Sequence, residues 1–197
     1  RSGHRTVSFD ARAHGRSEAP SPDIPLETAY SYAALSSDLD RIAVDTIPRG
    51  ELVHLVGSSM GAHTAVRYAL DYPDRVAGVT LIGPAYAGEP LSEEVLRPWD
   101  KLSEGLREAG PEGFVEAFSE TTPTSGQWRD RLVSLARERI ELHEHPADLA
   151  NALWWIPRSR PFGGLSDLEG LQVPALVIGS GDDADPGHPA AVAGAWA

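Results

Sequence analysis

Short apolar runs and longer helical periodicities take turns along this chain. Runs at about 5–10, 52–56, 77–82 and 174–179 are short and apolar, the pattern of strands buried in a sheet. Between them, Tyr32–Thr46 and Met60–Tyr72 repeat their apolar residues at helical spacing, and the second places Ala62, Ala65, Val66, Ala69 and Leu70 on one face. This alternation predicts an α/β fold, a mostly parallel sheet covered on both faces by helices. After Gly78–Ile82 the next strand pattern does not arrive for about ninety residues, far longer than an ordinary connection. The gap holds helical stretches near 91–109, 111–120, 127–143 and 147–156, broken by Pro and Gly, and so predicts an inserted helical cap. The expected organisation is core over 1–87, cap over 88–165 and core again over 166–197.

The heptapeptide Leu55-Val-Gly-Ser-Ser-Met-Gly61 contains G-x-S-x-G between a strand pattern and a helix pattern. Those flanks distinguish it from an ordinary Gly- and Ser-rich turn and predict a nucleophile elbow, with the hydroxyl of Ser59 exposed at the top of a sheet. Gly57 and Gly61 are expected because a side chain at either place would strike neighbouring backbone. A helix starting at Met60 would aim its unsatisfied N–H groups and positive dipole end at the same spot, with the Met60 N–H as an oxyanion donor.

Composition narrows the partners. With 17 basic and 29 acidic residues the formal charge is −12, which disfavours nucleic acid and anionic membranes and favours a small-molecule substrate. There is no cysteine, so thiol catalysis, disulfides and thiolate metal sites are excluded, and a cytoplasmic location is the expectation. No metal constellation and no phosphate-binding Gly-rich loop is found, and no cofactor is implied. The chain starts and stops abruptly: Arg5–Asp10 reads as a strand entered mid-fold and Pro189–Ala197 as a helix cut while running. Both ends are therefore expected to be missing.

Three blocks together resemble the alpha/beta hydrolase family. The first is Gly3-His-Arg-Thr-Val-Ser-Phe-Asp-Ala-Arg-Ala-His-Gly-Arg-Ser17, similar to the family's D-x-R-G-H-G-x-S loop, with Ala13 where a glycine is usual. The elbow is the second, with Ser58 where His is frequent, followed by Tyr72-Pro-Asp-Arg-Val76 and the strand Val79–Ala85. The third is the strand and loop from Val173 to Pro189, similar to the segment that delivers the family's catalytic acid. The resemblance implies a serine hydrolase with Ser59 as nucleophile and Asp185 as acid; Asp182 and Asp183 also stand in that loop.

A serine hydroxyl needs a histidine to take its proton and a carboxylate to orient the ring. The family's order is Ser, acid, His, and His188 follows the acid too closely to fit it. His54, His63 and His14 read as packed or structural imidazoles, and His143 and His145 as a solvated helix end. The catalytic histidine is thus expected beyond Ala197, and the second oxyanion donor before Arg1. Trp99, Trp128, Trp154 and Trp155, with Leu153, Ile156 and Phe162, are candidates for an apolar pocket, though rings at such positions also glue a cap to its core. Arg158 and Arg160 are candidates to contact a substrate carboxylate, a solvated loop being the alternative. The expected activity is hydrolysis of an ester, thioester or similar carbonyl bond of a small, largely apolar molecule. A cofactor-free perhydrolase or C–C hydrolase and a non-catalytic binding protein are the alternatives; a serine elbow argues against dehalogenase and epoxide hydrolase chemistry, which place aspartate there.

Overall fold

Three parallel strands in the order β1-β2-β3 organise the chain, and their C-terminal ends finish side by side. The structure is a computed structural model describing residues 3–122, 124–181 and 187–197. In chain order the elements are α1 (Leu26–Ala29), α2 (Tyr32–Thr46), β1 (Val53–Ser58), α3 (Met60–Asp71), β2 (Val76–Ile82), α4 (Glu93–Thr121), α5 (Gly126–Ile140), α6 (Pro146–Trp155), β3 (Ala175–Ile178) and α7 (Ala190–Trp196). Ser58 pairs with Ile82, and Ile82 with Ile178, so the three loops leaving the strands emerge at one edge. In an open parallel sheet that edge is where a binding crevice forms.

The expected helices at Tyr32–Thr46 and Met60–Tyr72 are present as α2 and α3, and the three later strands fall where the apolar runs put them. Residues 5–10 do not form a strand: no ladder includes them, and Val7 and Phe9 are 46% and 44% exposed. An extended segment becomes a strand only when a neighbour accepts its hydrogen bonds. Here the segment is held by other groups: the Arg5 guanidinium donates to the Thr46 carbonyl, and the Ser17 hydroxyl donates to the Asp10 carbonyl at 2.7 Å.

Two apolar clusters divide the core. One lies between the sheet and α3, where Val66, Tyr68, Val79 and Leu81 are almost wholly buried, and Trp196 of α7 joins it. The other joins Tyr30, Tyr32 and Leu35 to Leu106, Ile140 and Leu149 from α4, α5 and α6. Polar ties reinforce that second seam. Arg12 donates two bonds to the Asp38 carboxylate at 2.7 and 2.8 Å, and Ser103 donates to the Ala150 carbonyl at 2.8 Å. The Gly15 N–H donates to Nδ1 of His143 at 2.8 Å, while the Glu144 N–H donates to the Gly15 carbonyl at 2.9 Å.

The expected helices at 91–109 and 111–120 run together as α4, kinked where the sequence has Ala109-Gly-Pro111. Gly110 takes φ 63°, ψ −148°, a conformation open to glycine, and Pro111 starts the second arm. Across the bend the backbones nearly touch: a Cβ on Gly113 would lie 2.1 Å from the Gly105 carbonyl oxygen.

Among the described residues Ser36, His63, Thr64 and Ser103 are buried and each is hydrogen-bonded, whereas the buried Tyr86 hydroxyl has no partner among them. His63 is the one whose charge matters. Burial, assisted by the proximity of His188, pushes its pKa down to about 4 from an ordinary 6.5. Burial likewise lowers His14 and His143.

Two measurements test this account. Gly113→Ala forces the arms of α4 apart and should lower stability by about 1–3 kcal/mol in urea unfolding, the usual range for overpacking. Because folded His63 resists protonation, its contribution is complete above pH 6.5 and is lost as pH falls toward 4. Stability should drop by roughly 1 kcal/mol between pH 7 and pH 5.5 from this residue, with His14 and His143 adding in the same direction. A curve that rises over that interval would contradict the packing described.

Candidate functional site

Ser59 occupies the turn between β1 and α3 with φ 52° and ψ −115°. A residue with a side chain in that region is strained, by about 1–3 kcal/mol, and persists only where the surroundings hold it. Three contacts do so. The Ser59 N–H donates to the Ile82 carbonyl at 2.8 Å, fixing the turn to β2, and the Ser59 carbonyl accepts from Ala62 and His63 at 2.9 and 3.1 Å, starting the helix. The turn is also tight: a Cβ on Gly57 would sit 2.1 Å from the Gly61 carbonyl oxygen. Only one of the two expected glycine roles holds, since a Cβ on Gly61 would meet nothing within 4 Å. Gly61 matters as the backbone that Gly57 approaches. Met60 opens α3, so its N–H is one of those at a helix start without an intrahelical acceptor.

The Ser59 hydroxyl meets His188, whose Nε2 lies 2.9 Å from Oγ. At that distance the hydroxyl can donate to the ring nitrogen. By its closeness to the acid loop His188 does not fit the family's chain order, yet its ring meets Ser59. Register explains the encounter: the segment after β3 leaves the same sheet edge as the turn after β1, with β2 between them. The residue after β2 is Gly83, with φ 55°, and a Cβ there would come within 3.3 Å of the His188 ring. The imidazole thus rests over a position without a side chain. Asp182, Asp183 and Asp185 lie outside the described residues.

Behind Ser59 stands His63, 6% exposed. Its Nε2 accepts the N–H groups of Ala85 and Tyr86 at 3.0 and 3.2 Å, and its Nδ1 lies 2.8 Å from the Tyr32 hydroxyl. The other imidazoles have structural partners. His54 Nε2 meets the Thr80 hydroxyl at 3.0 Å, His14 Nδ1 donates to the Arg12 carbonyl at 3.0 Å, and His143 holds Gly15 as described. His145 sits at the start of α6.

Ser59, Met60, His63 and His188 share a cavity of about 230 Å³ whose remaining walls are mostly apolar, among them Leu91, Val95, Leu153 and Ile156. Of the four tryptophans singled out in the sequence, Trp99 lines it; Trp128 is 53% exposed, and Trp155 packs into the core. Trp154 lies under the Arg158 guanidinium, 3.9 Å from its ring centre, and Arg158 pairs with Asp100 at 2.7 Å. That pairing engages Arg158 with protein groups, and Arg160 is exposed to solvent. Phe162 is in the core against Tyr86 and Trp196. Trp196, not anticipated as a site element, donates its ring N–H to the Tyr86 carbonyl at 2.8 Å and stacks near His63.

Comparison with known proteins agrees with this architecture. The chain matches the alpha/beta hydrolase fold over residues 1–183. It is 30% identical, over 92% of its length, to a 2-hydroxy-6-oxononadienedioate/2-hydroxy-6-oxononatrienedioate hydrolase of Paraburkholderia phymatum, covering 61% of that protein. A hydrolase of the same name from Klebsiella pneumoniae is 31% identical, with 92% and 61% covered. The chain therefore spans about three fifths of the length of these relatives. Among solved structures, a thermophilic esterase from Thermogutta terrifontis superposes with a TM-score of 0.67 at 24% identity, over 95% of this chain and 65% of that one. MenH from S. aureus gives 0.70 at 20%, over 96% and 68%. At those identities the likeness is one of fold. No helix among the described residues is long and apolar enough to cross a membrane. With a family match over nearly its whole length and three parallel strands converging on a strained serine turn, this chain belongs to the alpha/beta hydrolase family.

Proposed function

We propose that the chain carries the reaction centre of a serine hydrolase, acting on an ester, thioester or similar carbonyl bond of a small, largely apolar molecule. The observation that carries this reading is the 2.9 Å contact between Ser59 Oγ and His188 Nε2 at the mouth of an apolar cavity. In the proposed reaction Oγ attacks the carbonyl carbon while its proton passes to Nε2. The oxygen that becomes negative lies where the Met60 N–H can donate, aided by the positive end of α3. Collapse expels the leaving group, which takes the proton from His188; water then adds to the acyl group, giving its proton to the same nitrogen, and the acid departs with Ser59 restored. Orientation of the imidazole is assigned to the acid loop, with Asp185 the favoured carboxylate. Residues 88–165 act in this scheme as a cap that walls the cavity and excludes water.

A second reading is hydrolysis of a carbon–carbon bond next to a ketone. It is favoured by the relatives at 30–31% identity, which are named 2-hydroxy-6-oxononadienedioate/2-hydroxy-6-oxononatrienedioate hydrolases. The same nucleophile and base would serve, and the substrates differ only in what leaves.

A fluorophosphonate probe on the full-length protein, followed by peptide mass spectrometry, tests the centre. Labelling should fall on Ser59 and vanish in Ser59→Ala. His188→Gln should slow labelling and turnover at least a hundredfold while leaving the unfolding midpoint nearly unchanged. Unaltered labelling in that variant would remove His188 from the mechanism and return the base to a histidine outside residues 1–197. No labelling at Ser59 in folded protein would overturn the hydrolase reading and favour a binding protein.

A further inference from the structure

The hydrogen-bond pattern around His63 fixes more than that residue. Backbone N–H groups can only donate, so Nε2, which faces those of Ala85 and Tyr86, is an acceptor and carries no proton. His63 is neutral, which leaves its one proton on Nδ1. That N–H donates to the Tyr32 oxygen at 2.8 Å, and the phenol is the acceptor in this pair. The proton of the Tyr32 hydroxyl must point elsewhere. Tyr32 is only 4% exposed, and the described residues offer its hydroxyl no second partner. Burial also raises its pKa, keeping the phenol protonated.

Tyr32 and His63 both line the cavity that holds Ser59 and His188. We infer that the Tyr32 hydroxyl donates a hydrogen bond to an oxygen of the bound molecule, making it a specificity-determining group for an uncharged substrate that bears a carbonyl, ether or hydroxyl oxygen away from the bond that breaks. The inference deepens the hydrolase reading and rests on the same cavity. Two features define the substrate class. A buried O–H donor among largely apolar walls favours a ligand that supplies an acceptor, since an occupant without one leaves the hydroxyl proton desolvated and unpaired. The lining contains no lysine, arginine, aspartate or glutamate among the described residues, and Arg158 is committed to Asp100. A charged oxygen would find no countercharge there, whereas a neutral one is matched.

Tyr32 belongs to the donor side of α2, at its first residue, held by the Ser159 hydroxyl accepting its backbone N–H at 3.0 Å. The ring is therefore anchored at both ends, by Ser159 at the backbone and His63 at the hydroxyl. Such a donor is pre-positioned, so binding need not order it.

The test uses p-nitrophenyl hexanoate and three isomers in which a ketone replaces the methylene at C3, C4 or C5 of the acyl chain. Binding is measured by calorimetry on full-length protein carrying Ser59→Ala, with and without Tyr32→Phe. At least one oxo isomer should bind about three- to tenfold more tightly than hexanoate, the range for one neutral hydrogen bond. That gain should disappear with Tyr32→Phe, while hexanoate binds the variant at least as tightly as it binds the protein with Tyr32, because no hydroxyl is then left unpaired. The comparison between ligands on unaltered Tyr32 does not depend on the variant folding. Equal binding of all four esters, or a gain that survives Tyr32→Phe, overturns the inference. Turnover of hexanoate by the protein with Ser59 intact is read separately: no turnover with a Tyr32-dependent binding gain sinks the hydrolase reading and keeps the donor, whereas turnover without the gain does the reverse.

Discussion

The backbone contact between Gly57 and Gly61 is the constraint on which the site depends. With no side chain at 57, the end of β1 and the first turn of α3 close to a distance that any Cβ would block. That closeness drives Ser59 into a positive-φ conformation, and the bond from its N–H to Ile82 keeps it there. The strain is borne by two elements at once, since β1 is paired along β2 and α3 is packed over both. A serine elsewhere on a helix would have its hydroxyl turned toward its own backbone. Here it stands clear of the sheet, next to the start of a helix dipole.

Two histidines flank that serine in different surroundings. His188 reaches it from a loop at the sheet edge and rests over the bare α-carbon of Gly83, at hydrogen-bond distance from Oγ. His63 is sealed among Tyr32, Trp196 and the backbone of residues 85 and 86, and burial keeps it neutral. A neutral ring accepting two N–H bonds secures the strand-to-loop exit after β2, so its role is to hold shape. The proton it retains on Nδ1 makes the Tyr32 oxygen the acceptor in their pair. The chemistry assigned to each imidazole thus follows from its partners, and the residue type is the same.

The helical segment α4–α6 contributes walls and anchors in unequal measure. Its apolar faces join Tyr30, Tyr32 and Leu35 in a shared core, so the cavity roof is continuous with the packing that stabilises the fold. Most of the large rings serve that packing; Trp99 is the tryptophan that faces the cavity. The family's breadth of chemistry is consistent with such a division, since a roof can be altered while the serine turn is kept.

Sequence alone was enough for the elements with strong local signals. The helices at Tyr32–Thr46 and Met60–Asp71, three of the four strands and the glycine requirement at 57 follow from periodicity and steric demand, which are properties of neighbouring residues. What failed depended on distant ones. Residues 5–10 have a strand's alternation but no partner in the described sheet, so they stay irregular. The contact of His188 with Ser59 is likewise not legible locally, because it arises where parallel register brings the ends of β1 and β3 to the same edge. The acceptor role of the Tyr32 oxygen toward His63 is further out of reach, because it is decided by a tautomer, and the tautomer by two backbone groups more than twenty residues from His63. Local rules name the parts, and hydrogen bonds and contacts between remote segments decide which atoms face each other.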